Sequence, residues 1–480
     1  MNDEIHQDVL STSSSQEFEM NRLKTKKSLP ALLIVFTLAT LMIQCFNLVY
    51  ANIGESMHMS ANTSALLSTV PGIILGVVCM LYDTLCDYIS PKKMTLWGVS
   101  ALVLGSLLGF FASTNFWLVL VARMIQVAGG QVTGSVFLVM TVKYLTNREK
   151  AIYIGVFNAV YYLAAALGVF AGGWITDIPW KFLFLIPALS LLVVPWIIRD
   201  TPDISIKGSK IDVIGIVVFA IFALLIAIVF SYPSWGLVIA IVLVGVIFAV
   251  YVAKGKNPFI TPKFVKNGAF MGVWLLLVLF YLFNYATTPI YQVIGDNDHI
   301  SLLVVSWCLT AVNLVSAIVG IFSGPIVHKL GRYGTMVWSG VAMVIGFVAS
   351  ALFIHASFWL LTVMACIFMA GITAVYTPIY DAAAAAVPES ENGRAIGICD
   401  LTLNVTSSIG MAMYSACLAN PQFLKHGLFG ISGVAVGSSN MFWVMAAFSL
   451  VALILTFVFR KAIVKNDMPA VSLETVENTK

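Results

Sequence analysis

Between Asp212 and Lys254 the chain reads VIGIVVFAIFALLIAIVFSYPSWGLVIAIVLVGVIFAVYVA (residues 213–253), without one charged side chain. Ser231-Tyr-Pro-Ser234 divides it into two apolar runs of about 20 residues, the length a helix needs to cross the roughly 30 Å hydrocarbon core of a bilayer. A soluble helix pair would need a polar face to turn to water, and neither run has one. The solvent of this segment is lipid.

The pattern extends in both directions. The 480 residues are 60% hydrophobic and 10% charged, whereas a soluble domain carries about 25% charged residues. Apolar runs bounded by charge or turn residues predict about fourteen spans, at approximately 29–51, 63–85, 94–113, 117–142, 152–175, 181–198, 212–231, 236–254, 268–292, 301–327, 335–355, 358–387, 395–418 and 441–460. An even number puts both termini on one face. Roughly 23 of the 26 Lys and Arg then fall in the termini and even-numbered loops, against Lys181, Lys425 and Arg123, so both termini are expected in the cytoplasm of a cell whose plasma membrane holds the chain. Merging two short pairs would give twelve spans, which fits less well.

The expected fold is all-α and polytopic. A cytosolic N-terminal tail at 1–28 is expected to lack fixed structure, since Met1–Lys27 turns basic only at Arg22, Lys24, Lys26 and Lys27 and does not read as a secretory leader. Six spans at 29–198, two spans with flanking loops at 199–266, six more spans at 267–460 and a cytosolic tail at 461–480 follow. The net charge of +4 comes as short basic groups between apolar runs, not as a stripe with interleaved aromatics, so a nucleic acid is not an expected partner. The seven cysteines form no C-x-x-C pair and lie mostly inside apolar runs, and the six histidines fall in termini or loops. Neither disulfide, metal, cofactor nor enzymatic chemistry is expected, because there is no nucleophile with base and orienter, no phosphate loop and no ligand cluster.

A charge kept inside the membrane is costly and marks function. Asp83, Asp381 and Asp400 are the acidic residues outside tails, loops and span edges, and Asp83 belongs to a loop motif. Asp381 and Asp400 lie near the cytoplasmic ends of spans twelve and thirteen, about 8–9 Å deep. They are candidate proton-coupling groups beside Tyr376, Tyr380 and Asn404, or else interfacial carboxylates wetted by an inner vestibule. Arg123 is the one basic residue well inside a span, and Gln44 sits at a similar depth in span one, so the two would meet if those helices adjoin. Arg123, Gln44, Gln126, Tyr376 and Tyr380 are the candidate lining of a substrate cavity, with structural packing as the alternative for Arg123.

Span five carries Ala164-Ala-Ala-Leu-Gly168-Val-Phe-Ala-Gly172-Gly173, a stripe that lets another helix come close, whether for sliding or for plain packing. Two loops in equivalent places also look alike: Asp83-Thr-Leu-Cys-Asp87-Tyr-Ile-Ser-Pro-Lys92-Lys93 and Gly324-Pro-Ile-Val-His328-Lys329-Leu-Gly331-Arg332, each read as a turn with basic residues. Internal duplication would explain the matched position, whereas any short cytoplasmic loop could collect the charges.

From about Leu29 to Arg460 these residues resemble the major facilitator superfamily, specifically its fourteen-span drug/proton antiporters and most closely the tetracycline-type exporters. The loop Asp83–Lys93 is similar to the signature G-x-L-x-D-R-x-G-R-R, with Asp87 at the acidic position and Asp83 and Ser90 where glycines are usual. Arg123-Met-Ile-Gln126-Val-Ala-Gly129 is similar to R-x-x-Q-G-x-G, and Lys256-Asn-Pro-Phe-Ile-Thr-Pro-Lys263 also resembles the tetracycline-type exporters. The span-five stripe is similar to the antiporter motif G-x-x-x-G-P-x-x-G-G, with Gly168, Gly172 and Gly173 in place and Val169 where proline stands. Gln44 lies near the point where such exporters place a carboxylate.

The resemblance implies two six-helix bundles with spans seven and eight inserted between them, around a cavity lined by spans one, four, nine and twelve. It implies a gating loop made of Asp83, Asp87, Lys92 and Lys93, and a secondary active transporter exporting an amphipathic small molecule, drug or metabolite, in exchange for protons. A uniporter or uptake carrier of the same fold and a non-transporting membrane sensor are the alternatives.

Overall fold

The computed structural model describes residues 2–85, 89–174, 179–203, 212–255, 258, 260, 262–388 and 391–464. Apolar runs become helices because a backbone in lipid must satisfy its own hydrogen bonds. In chain order these are α1 Asn2–Ser56, α2 Ala61–Leu85, α3 Pro91–Phe111, α4 Phe116–Tyr144 and α5 Asn147–Gly173. Two 3-10 stretches, Trp180–Leu185 and Pro187–Val193, lead into α6 Val194–Asp200. Then come α7 Val213–Ser231, α8 Trp235–Lys254, α9 Pro262–Lys266, α10 Gly268–Tyr281 and α11 Thr287–Asn297. The remainder are α12 Leu302–Leu352, α13 Phe358–Ala374, α14 Tyr376–Ala385, α15 Asn392–Ala419, α16 Pro421–Lys425, α17 Val436–Val458 and α18 Arg460–Ile463.

Among the described residues thirteen helical stretches are long and apolar enough to cross a membrane. One of them, α12, has 51 residues, about 77 Å at 1.5 Å per residue and more than two bilayer crossings. Its backbone leaves helical geometry at Gly331 (φ 71°, ψ 169°). Counting α12 as two passes gives fourteen. The expected turn over residues 324–332 is thus compressed into one glycine, whose missing Cβ permits a backbone angle closed to other residues.

The segment expected to lack structure is helical. α1 runs unbroken from Asn2, because no glycine or proline interrupts residues 2–29 and because the charges near its membrane entry find a partner. Glu149, in the first turn of α5, accepts hydrogen bonds from Arg22 Nε (2.9 Å) and Nη2 (2.7 Å) and pairs with Lys26. Hydrogen bonding from Arg22 first, then Lys26, holds the Glu149 carboxyl well below the usual carboxylate range.

One bundle forms where α1 packs on α2, α4 and α5, and α3 on α4 and α6; the other where α12 packs on α13, α14 and α17, and α10 on α14, α15 and α17. The bundles meet along two seams, α2 against α15 and α5 against α12. Glycine makes both seams close: a Cβ at Gly76 would lie 2.9 Å from the Leu401 carbonyl oxygen, and one at Gly173 would lie 1.9 Å from Ser306 Oγ. Within the span-five stripe, Gly168 faces α1, where a Cβ would sit 2.2 Å from the Leu41 carbonyl oxygen, and Gly172 faces Leu48. The inserted α7 packs on both α2 and α15, while α8 leans on α7 and has no buried residue. An apolar helix exposed all round is one solvated by lipid.

Candidate functional site

A cavity of about 1760 Å³, counted with the open space at its mouth, lies between the bundles. α1, α2, α4 and α5 line one wall, and α10 to α15 the other. Two interruptions in the helices shape the second wall. The chain leaves α-helix between Tyr281 and Thr287, and again at Val375. Each break is followed by a Thr-Pro pair, Thr288-Pro289 and Thr377-Pro378, where proline removes an amide donor and frees the carbonyl four residues back. Irregular backbone at membrane depth survives because it borders a polar cavity.

The lining is aromatic and carboxamide-rich. Phe36, Phe157, Tyr161, Tyr162, Tyr281, Tyr285, Tyr291, Phe368 and Tyr376 supply rings, and Gln44, Asn47, Gln131, Asn158, Asn284, Asn313 and Asn404 supply amides. Among the described lining residues Asp400 carries the one charge. Tyr380 Oη donates to Asp400 Oδ1 at 2.5 Å, and the Tyr380 ring stacks on Tyr376 with centroids 4.2 Å apart. Asn404 Nδ2 donates to the Asp400 carbonyl at 2.9 Å and its Oδ1 accepts from Tyr285 Oη at 2.7 Å.

The two carboxylates of similar depth are therefore separated. Asp381 pairs with Arg332 Nε at 2.6 Å and its side chain is 51% exposed, so it sits in an ion pair of the second bundle, not in the cavity lining. Arg332 ends the second of the two similar loops, and this pairing was not legible from depth alone.

Arg123 and Gln44 do not meet. Arg123 is 1% exposed; its Nη1 donates to Gln126 Oε1, and Gln126 Nε2 donates to Ser106 Oγ at 3.0 Å. The guanidinium carbon lies 4.0 Å from the centre of the Phe46 ring. Arg123 and Gln126 thus lie within the first bundle and are absent from the cavity lining, whereas Gln44 lines it and accepts from Asn47 Nδ2 at 3.5 Å. Depth fixes height along a helix, but Gln44 and Phe46 are two residues, about 200°, apart around α1.

Of the expected gating loop, Asp87 lies outside the described residues, and Asp83 lies near the end of α2. Lys92 and Lys93 sit in the first turn of α3, where the Ser90 side chain accepts from the Lys93 amide at 3.4 Å. Cations oppose the helix dipole there, so their placement is not explained by helix stability.

Three polar ties that cross between the bundles lie away from the side where α1 begins. Gln292 Nε2 donates to Asn52 Oδ1, Ser415 Oγ donates to Asn62 Oδ1 at 2.9 Å, and Thr310 Oγ1 donates to the Ala166 carbonyl at 3.3 Å. On the terminus side the ion pairs Arg22–Glu149 and Arg332–Asp381 stay within a bundle. These ties join the two bundles at the far side.

Comparisons with known proteins agree with this architecture. The chain is 24% identical over 298 residues to a multidrug transporter protein of Bacillus subtilis (strain 168), covering 57% of this chain and 54% of that one. It is 22% identical over 405 residues to a riboflavin transporter of Clostridioides difficile (strain 630), covering 81% and 87%, and 24% identical over 301 residues to a uridine/deoxyuridine transporter of Lactococcus lactis subsp. cremoris (strain MG1363), covering 58% and 62%. The matches to the multidrug transporter and to a methylenomycin A resistance protein span only about half the length of those proteins. In three dimensions it is similar to a POT family transporter solved in complex with a thioalcohol-conjugated peptide, with a TM-score of 0.67, 15% identity, and 91% and 97% of the two chains covered. The family model described as Major Facilitator Superfamily matches residues 32–212 and 273–475, and with its all-helical fold around a central cavity the chain belongs to that superfamily of membrane transporters.

Proposed function

We propose that the protein is a proton-coupled secondary transporter of the plasma membrane that exports an amphipathic small molecule, drug or metabolite, with both termini in the cytoplasm. The observation that carries this is Asp400, the one carboxylate among the described lining residues of a cavity whose other described side chains are neutral polar, aromatic or aliphatic. A group that gains and loses charge there alters what the cavity binds, which couples proton and cargo. Asp381, the other sequence candidate, is engaged with Arg332, which favours Asp400. The basic loops support the orientation, and relatives named for multidrug transport and methylenomycin A resistance support export.

Everted vesicles energised by lactate or ATP test it. Cargo added to vesicles holding the parent protein releases protons from the interior, and Asp400→Asn lowers that release at least tenfold while the protein inserts normally. Equal release by both proteins assigns coupling elsewhere, and transport indifferent to the gradient makes the protein a uniporter or uptake carrier.

A further inference from the structure

We propose that the cavity is built for an uncharged, planar heteroaromatic ligand whose rim carries lactam or imide groups. The inference deepens the carrier reading by naming a ligand class, and it rests on that reading only in taking the cavity as the ligand's seat.

The argument is an inventory of unused groups. Three lining carboxamides, Gln131 on α4, Asn158 on α5 and Asn284 at the α10–α11 break, have no side-chain hydrogen bond to protein among the described residues. They stand on both bundles, so one ligand bridging them is held from each side. A carboxamide presents a donor and an acceptor side by side. The matching partner is a cis-amide edge, N–H beside C=O, which completes two hydrogen bonds at once.

The tyrosines offer something different. Tyr281, Tyr285 and Tyr291 donate their hydroxyls to the Ile372 carbonyl (3.0 Å), Asn404 Oδ1 (2.7 Å) and the Leu361 carbonyl (2.7 Å). With their hydroxyl hydrogens committed, these three side chains bring the cavity ring faces and no free donor. Phe36 and Phe157 add a stacked pair with centroids 4.6 Å apart. Flat apolar faces and amide heads lining one cavity suit a flat ring system with polar edges. A flexible polyol would satisfy the amides but leave the rings wet.

Charge narrows the class further. No described lining side chain is basic, and Arg123 is sealed inside the first bundle. A ligand anion would lose its hydration without gaining a counter-ion, and would also face Asp400.

Equilibrium binding to the purified full chain, read by flavin fluorescence without any gradient, tests this with three probes. Lumiflavin is neutral, planar and has an imide edge; 3-methyllumiflavin lacks the imide N–H; carboxymethylflavin is an anion. Lumiflavin should bind saturably and each of the others at least about tenfold more weakly, the methylated probe because one buried group is left unpaired and the anion because its charge finds no counter-ion. Gln131→Leu, Asn158→Leu and Asn284→Leu, checked for native gel-filtration and circular-dichroism behaviour, should weaken lumiflavin and narrow its advantage over the methylated probe. No saturable lumiflavin binding, equal binding of the three probes, or folded variants that bind like the parent each overturn the inference. Selective flavin binding by a protein that fails the vesicle proton assay would sink the coupling reading and leave this one standing.

Discussion

Arg123 is a full positive charge with 1% of its surface exposed and no carboxylate partner among the described residues. Its support is the Gln126 side chain and the face of Phe46, while its Nε has no hydrogen-bond partner among the described residues. Hydrogen bonds to a buried charge are worth about 1.5–3 kcal/mol, so Gln126→Leu should destabilise the protein by about 2–3 kcal/mol, seen as a lower melting temperature in detergent. Gln126→Glu, which supplies a counter-ion, should melt no lower than the parent; a Leu variant that melts like the parent would remove Gln126 from this role. That Arg123 was special is legible in the sequence, because charge inside an apolar run is rare. Its partners are not, since periodicity gives depth without azimuth. The amides and tyrosines of the cavity escape for a related reason: scattered polar residues in apolar helices look like tolerated exceptions until folding aims them at one space.

At the level of elements, Gly331 and Glu149 each hold a junction. The φ of 71° at Gly331 costs a side-chain-bearing residue about 1–3 kcal/mol. Gly331→Ala should lose that much stability, whereas Gly324→Ala, in the same helix with nothing within 4 Å of the added carbon, should lose none; equal melting of the two variants would show that the kink carries no strain. Glu149 ties α1 to α5, and its depressed carboxyl pKa fixes the sign of a pH effect. Stability from a depressed carboxylate is complete above its unfolded value of about 4.3 and disappears as pH falls through the lower folded value. Glu149→Gln should therefore melt below the parent by a constant gap from pH 7 to pH 5, and the gap should close in stronger acid. A gap that persists unchanged at pH 3 would contradict the ion pairing. Element type is almost wholly legible, since twenty apolar residues in lipid have one outcome. The breaks at Tyr281–Thr287 and Val375 were signalled by Pro289 and Pro378 inside apolar runs, a cue that length-based reading of spans passes over. The helical tail was missed because polar composition says little about a helix that continues from a membrane span.

For the whole molecule, span count follows from where charge interrupts apolar runs, and the runs expected at 301–327 and 335–355 form one helix, α12, bent at Gly331. What composition cannot supply is which face the cavity opens to. The ties Asn52–Gln292 and Asn62–Ser415 join the bundles at the far side with neutral amides and a hydroxyl, and neutral latches of about 1 kcal/mol each are easily released. Two rigid bundles rocking about the α2–α15 and α5–α12 seams must open one side as they close the other. Distances between spin labels in lipid nanodiscs, measured by double electron–electron resonance in a background without the native cysteines, bear on this directly. Labels at His58 and His299 report the far side, and labels at the exposed Ile154 and Arg394 report the terminus side. Gln292→Ala should lengthen the first distance and shorten the second together, in the same fraction of molecules. A far side that opens while the terminus side keeps its spacing would contradict alternating access through a single cavity.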